Sequence, residues 1–378
     1  MNGADLRPLT DALGRAGARL DLVLPDGETV AVGAPPARAR VVFRDDGALA
    51  PLLRRDHLGV AEAYLAGRID VEGDMAETLR VTDVLDLEPG RLSRFAWRTR
   101  LRLPGRLAYN AATIAFHYDR PAEFFLPWFE RWRSYSHGFY ETPDDDPSAA
   151  QARKMQYAID RLGLRPGMRV LDMGAGWGCF VEYAGRQGIR VEAITISHEQ
   201  HQFVDELIAR ERLPCTVTLV DLFAYHPALP FDGAVFMGTL EHVPEVERVA
   251  AFLAHHLAPS ARVYADFCAQ RSHFLMGAFL RKYIWPGPTA YVDLARLVRA
   301  LTRAGFNVHD VGDDTLSYAY TVRDWARGLE VHREALAARF GEETVRTFLV
   351  YLWASHHFLA TNRTQAYHLV AGREPRRA

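Results

Sequence analysis

The sequence is short of the features that mark a secreted, metal-stapled or membrane-spanning chain. Its 378 residues hold three cysteines, Cys179, Cys215 and Cys268. They are scattered, without the paired spacing of a disulfide framework or a zinc site. No apolar run reaches the roughly 18 residues that a bilayer span needs. The opening Met1-Asn2-Gly3-Ala4-Asp5-Leu6-Arg7 has no apolar signal core, so the expected location is the cytoplasm. Neither sign of charge dominates: 45 Lys+Arg against 47 Asp+Glu leave a net −2, which argues against a nucleic-acid partner. Repeats and low-complexity tracts are missing as well. What remains is an ordinary globular composition, 49% apolar and 11% aromatic, in a length that suits two or three domains of roughly 100–200 residues.

Residues 1–85 read as a small α+β accessory domain. Leu20–Gly27 and Ala39–Arg44 are strand-like, Asp26-Gly27 is a hairpin signal, and Leu58–Leu65 is helical. Residues 86–110 read as a connector in which Arg91, Arg94, Arg98 and Arg102 alternate with Leu92, Phe95, Trp97 and Leu103. Such a helix can rest on an anionic bilayer surface; it can equally be a solvated face between domains. Residues 111–142 are dense in aromatics, among them Phe124, Phe125, Trp128, Tyr135, Phe139 and Tyr140.

From about residue 149 the pattern alternates strand and helix. Arg169-Val170-Leu171-Asp172-Met173-Gly174-Ala175-Gly176-Trp177-Gly178 reads as a buried strand turning sharply into a helix. Glycines there admit unusual dihedrals and the close approach of a ligand. The third-glycine spacing of the dinucleotide fingerprint is lacking, which points to S-adenosylmethionine (SAM), whose anion is a small carboxylate. Further strands are expected at Val191–Ile196, Thr216–Val220, Gly233–Met237 and Ala261–Phe267, with Ser197 capping a helix and Gln200 completing a capping box. Asp172, Thr195, Asp221, Glu241 and Asp266 fall at or just past strand ends, where a doubly wound sheet binds its ligands. Residues 274–283 and 336–370 are expected to be helical. His198 and His201 share a helix without a third ligand, so no metal is expected.

With these pieces in place, the chain resembles the cyclopropane-fatty-acyl-phospholipid synthase and mycolic acid methyltransferase family. The resemblance rests on His117-Tyr118-Asp119, Tyr135-Ser136, Ala152–Met155, Val170–Phe180, Thr195–Gln200, Phe231 to Val243, Lys282–Gly287 and Tyr318 to Trp325. It implies an α/β fold: a Rossmann-like, doubly wound SAM-dependent methyltransferase domain over 111–378, with an aromatic N-terminal cap and a helical C-terminal part. It implies transfer of a one-carbon unit to a carbon–carbon double bond of an unsaturated acyl lipid. A specialised natural-product alkene is the alternative substrate, and a non-catalytic SAM- or lipid-binding module the alternative class. Carried over by position, Tyr135, Ser136, Val170, Asp172, Gly174, Gly176, Trp177, Gly178, Thr195, Ile196, Ser197, Gln200, Asp221 and Leu222 would hold SAM. Glu241 and Tyr318 match active-site positions. A peripheral contact at the inner membrane face through 86–110, and a homodimer, stay open.

Two departures stand out. His137 occupies the family's Cys position, and Asp266 its usual His position. In the family these positions help to hold a bicarbonate ion that acts as base. An acid at 266 beside Glu241 would repel such an anion by several kcal/mol in a low-dielectric site, so bicarbonate is doubtful. The reaction still needs a base. Methyl transfer to an alkene leaves a carbocation, and a proton must then depart to give a ring, a methyl branch or a methylene. Holding the methyl donor in line is worth up to about 7–11 kcal/mol, and the aromatic set would exclude water and face the cation. His137, Glu241 and Asp266 are expected to form the proton-acceptor cluster; the plainer alternative is a His137–Asp266 ion pair, or an Asp266 that points away. His242 is read as a structural helix-start residue.

Overall fold

The computed structural model describes residues 6–85, 120–270, 277–285 and 290–373. The connector 86–110, His117-Tyr118-Asp119, Phe274 and Pro286-Gly287 lie outside them. The chain divides into two compact units. One gathers described residues from 1–100, 275–284 and 329–358; the other those from 101–274, 285–328 and 359–378. The linear boundaries at 85 and 110 do not draw this division, because two later segments contribute to the first unit.

The first unit is built on a four-stranded sheet in the order β2-β1-β3-β4, from β1 (Leu20–Val23), β2 (Thr29–Val32), β3 (Ala39–Phe43) and β4 (Ile69–Gly73). The expected hairpin forms between β1 and β2. Its turn needs Gly27 at φ +88, a left-handed conformation that glycine takes without Cβ strain. Alternation puts Leu20, Leu22, Val41 and Phe43 inside. Asp45, Asp56 and Asp74 each cap a helix, accepting from the N–H groups of Ala48, Gly59 and Glu77. Within the same unit Arg346, on the helix Glu342–Ala360, donates to the carbonyls of Tyr64 and Ile69 at 3.0 and 3.1 Å and to Asp70 at 2.7 Å.

The second unit holds a seven-stranded sheet in the order β10-β11-β9-β8-β5-β6-β7. The strands are β5 (Arg169–Met173), β6 (Arg190–Thr195), β7 (Thr216–Leu219), β8 (Phe231–Met237), β9 (Leu257–Ala269), β10 (Asn307–Asp313) and β11 (Gln365–Gly372). Strands β7, β6, β5, β8 and β9 run parallel. They read as near-continuous apolar runs because both faces are covered. Val170, Leu171, Ala234 and Val235 are fully buried, each larger side chain worth roughly 1.5–3 kcal/mol of burial. The chain steps outward from β5 to β6 and β7, then returns to place β8 on the other side of β5. That reversal opens a crevice at the carboxyl ends of β5 and β8.

Strand β11 corrects the expectation of helix through residue 370. The helices Arg333–Phe340 and Glu342–Ala360 are followed by a strand wedged antiparallel between β9 and β10. Ala366, Leu369, Val370 and Ala371 are buried there. A short apolar run is ambiguous between helix and strand until a sheet receives it. Of the segment expected as a helix over 274–283, the described part ends in a π-helical turn, Leu280–Ile284. Among the described residues no helix is long and apolar enough to cross a membrane.

Candidate active site

The crevice is shaped by the glycine loop. Gly174 takes φ +112 and Gly178 φ +77, and a Cβ at either would strike the side chain of Thr239 or of Leu207. The N–H groups of Gly174 and Ala175 both donate to the Ile194 carbonyl, at 3.1 and 3.0 Å. Two of the loop's donors are therefore spent on β6 and are not offered to an anion. The loop walls a cavity also lined by Tyr135, Ser136, Asp172, Gly176, Trp177, Thr195, Ile196, Ser197, Gln200, Asp221 and Leu222. Val170 and Gly178 are the exceptions among the expected cofactor residues. Val170 sits in the core under the loop, and Gly178 is the left-handed cap of the helix Cys179–Gly185.

The polar rim of this cavity is tied down locally. Ser197 caps the helix His198–Glu211, accepting from the Gln200 N–H at 3.3 Å. Thr195 Oγ1 accepts from the Ser197 N–H at 3.2 Å and donates to Gln200 Oε1 at 2.9 Å. Asp221 accepts from the Phe223 N–H at 2.8 Å. Asp172 is buried, and that burial pushes its carboxyl up to about 8, with Asp266 adding to the rise and Lys154 opposing it.

A second polar cluster lies behind the first. Ser136 lines the cavity while its neighbour His137 is fully buried, and His242 lines it while Glu241 turns to the next strand. Glu241 Oε1 accepts from the Cys268 N–H at 2.6 Å. Among the described residues Glu241 Oε2 has no hydrogen-bond partner. Burial raises the Glu241 carboxyl to about 7, opposed by that N–H and reinforced by Asp266. The Cys268 side chain interacts with Tyr318 as well as with Glu241. Burial also pushes His242 down to about 4, so it is neutral; its ring lies 4.6 Å from that of Trp285.

His137 and Asp266 do not pair with each other. Asp266 is fully buried on β9 and pairs with the ammonium of Lys154 at 3.5 Å. Lys154 also donates to Ser136 Oγ at 2.5 Å. His137 Nε2 instead meets Asp314 Oδ2 at 3.0 Å, and His368 Nδ1 meets the same oxygen at 2.7 Å. The expected three-residue cluster is thus split: His137 bonds Asp314, Asp266 pairs with Lys154, and Glu241 accepts from the Cys268 N–H, so the alternative of a His137–Asp266 pair is overturned. The reason is topological. Strand β11 brings His368 opposite Asp266 in register, and the chain leaving β10 places Asp314 against His137.

The aromatic set divides too. Phe125 packs 5.6 Å from both Tyr135 and Trp177, and Tyr135 lies 5.2 Å from Trp325. These rings, with Phe124 and Trp128, form the wall beside the glycine loop. Phe139 packs instead on Tyr157 and His368, and the Tyr140 hydroxyl donates to Asp324 at 2.9 Å. Arg133, at φ +62, ties this wall to the loop: Nε donates to the Trp177 carbonyl at 3.2 Å and the guanidinium pairs with Glu182.

Lys154, Arg133, Asp314 and His368 escaped the sequence reading. Lys154 had a signal. With Gln151 it lies on the buried face of the helix Pro147–Leu162, among Ala150, Met155 and Ala158, and a lysine on an apolar face needs a buried partner. Asp314 and His368 carried none, since their partners are distant in sequence.

The family model described as mycolic acid cyclopropane synthetase matches residues 106–369. A probable fatty acid methyltransferase of Pseudomonas putida is 26% identical over 373 residues, covering 92% of this chain and 90% of its own. Cyclopropane mycolic acid synthase 1 of Mycobacterium tuberculosis is 28% identical over 269 residues, covering 66% of this chain and 93% of its own. A solved cyclopropane synthase of Mycobacterium tuberculosis superposes with a TM-score of 0.66 at 22% identity, covering 70% of this chain and 98% of that one.

Proposed function

The chain belongs to the mycolic acid cyclopropane synthetase family, and on that premise we propose that it transfers a one-carbon unit from SAM to a carbon–carbon double bond of an unsaturated acyl chain. The product is a cyclopropane or a methyl-branched chain. The observation that carries this reading is the placement of buried titratable groups beside the cavity. Ser136 and His242 line the cavity walled by the glycine loop, and their chain neighbours His137 and Glu241 are buried beside it, in separate hydrogen-bond systems.

The cavity's residues fit SAM. Asp221 and the hydroxyls of Thr195 and Ser197 suit its ammonium and diol groups, Asp172, kept protonated by burial, offers a neutral hydrogen-bonding group, and Ile196, Leu222 and Phe223 offer an apolar wall to a base. When bound, SAM supplies an electrophilic methyl group on a sulfonium. The chain's part is to hold that methyl in line, to exclude water and to take up a proton. Tyr135 and Trp177 present rings on which a cation is favoured. Glu241 carries a buried oxygen with no partner among the described residues, beside Tyr318 and Cys268. Bicarbonate is disfavoured at this cluster. The Cys268 N–H is engaged by Glu241 and His137 Nε2 by Asp314, so two donors that could hold an anion are already taken.

The test is incubation with methyl-labelled SAM and unsaturated phospholipids or acyl substrates, read by mass analysis. Gain of one CH2 supports the reading, and degradation or NMR then separates ring from branch. SAM binding by calorimetry without any label transfer would favour a non-catalytic module instead. Transfer only to a polyene or terpenoid-like alkene would favour a natural-product enzyme.

A further inference from the structure

His137, Asp314 and His368 form a buried constellation that comes from three separate parts of the chain. His137 is completely buried, with Nε2 3.0 Å from Asp314 Oδ2. His368 reaches the same oxygen through Nδ1 at 2.7 Å. An ionised carboxylate oxygen accepts only, so both rings direct an N–H at it. For His137 this places a proton on Nε2. Its other ring nitrogen, Nδ1, has no hydrogen-bond partner among the described residues. The His137 ring lies 5.0 Å from that of Tyr318, which in turn interacts with Cys268 next to Glu241.

A base held by a carboxylate on one nitrogen and bare on the other is the arrangement of an oriented general base. Resting on the methyl transfer proposed above, we propose that His137 Nδ1 accepts the proton that ends the reaction, with Asp314 as its positioning carboxylate and His368 holding Asp314 in place. The step balances within the site. A C–H bond of the substrate cation breaks, and its electron pair forms the ring C–C bond or a C=C bond. The proton moves to Nδ1, and the positive charge passes from carbon to the imidazole, where Asp314 faces it. Asp266 is not available for this role, because Lys154 already neutralises it. Glu241 has a bare oxygen but no such companion. Hydrogen bonds from His137 and His368 hold the Asp314 carboxyl at about 2, against the opposing effect of burial, so the carboxylate stays ionised. The titratable groups facing the constellation are Tyr318 on His137, and Tyr157, Tyr264, Asp310 and, across the sheet, Asp266 around His368.

Two readouts test this on the full chain. In nitrogen-15 histidine spectra at neutral pH, the signal lost in His137→Gln should show the neutral Nε2–H tautomer, and Asp314→Asn should disturb it. An Nδ1–H tautomer for His137 overturns the proposal, whether or not the protein turns over any substrate. In turnover, His137→Gln and Asp314→Asn should each lower kcat by about 10²–10⁴-fold, with SAM affinity retained and the acid limb of the pH–rate profile displaced. Parental kcat in His137→Gln overturns it. So does an Asp314→Asn variant that loses kcat with both tautomer and pH profile unchanged, since that is a structural loss. A parent that binds SAM but transfers nothing to any alkene defeats the proposed function instead, and the tautomer still decides the dyad.

Discussion

The ammonium of Lys154 stands 3.5 Å from the carboxylate of Asp266, and neither side chain exposes any surface. Two charges without water are tolerable only as a pair. Lys154 further donates to Ser136 Oγ, and Gln151, one turn earlier on the same helix, donates to the Ser136 carbonyl at 2.7 Å. The pair therefore anchors the segment that walls the cofactor cavity.

Breaking this pair from one side should be costly. Lys154→Met or Asp266→Asn is expected to destabilise the protein by about 3–5 kcal/mol, measured by denaturant unfolding. The double variant, which strands no charge, should lose less than the sum. Additive losses in the double-mutant cycle would contradict a coupled pair.

Glu241 should make stability depend on pH. Its folded value of about 7 lies above its ordinary 4.5. The stabilisation from burying a protonated carboxyl is therefore complete below pH 4.5 and is lost as pH rises through 7. Each pH unit between the two values corresponds to about 1.4 kcal/mol, so Glu241→Gln should gain on the parent by about 3 kcal/mol in order of magnitude above pH 7. Unfolding curves on either side of that window that differ by a constant amount would refute this.

Gly174→Ala should damage the cofactor cavity directly. The residue combines φ +112 with a Cβ direction blocked by Thr239. Strain of this kind costs on the order of 1–3 kcal/mol. SAM affinity, read by calorimetry, should fall at least tenfold if the loop shifts by that energy. Binding at the parental level would show that the loop does not wall the SAM site.

Arg346→Met should destabilise the first unit. It leaves the carbonyls of Tyr64 and Ile69 and the Asp70 carboxylate without the donor they share. A loss of about 1–3 kcal/mol is expected from the carbonyls left without that donor, since Asp70 keeps its pair with Arg44. Hydrogen exchange should speed at β4 and leave β5 protected; uniform speeding of both would mean that the two units unfold together.

Much of the site was legible because it is made of contiguous residues. The loop Asp172–Gly178 needs its glycines for local reasons, and the Thr195-Ile196-Ser197 turn caps its own helix. Both appear in order along the chain, and the structure brings them to one cavity. Departures at 137 and 266 were visible too, as residue types in an unexpected place. Their partners were not visible. Lys154 sits on the helix before β5 while Asp266 sits on β9, and His137 meets Asp314 across 177 residues.

Sequence alone determined the parallel sheet, the glycine loop and the identity of the groups that can titrate near it, because periodicity and turn chemistry act between close neighbours. Tertiary structure decided which acid pairs with which base. The insertion of β11 between β9 and β10 carries His368 to Asp314, and the face of the helix Pro147–Leu162 carries Lys154 to Asp266. Buried charges take their roles from whatever the packed core brings within a few ångströms, and no local pattern encodes that distance.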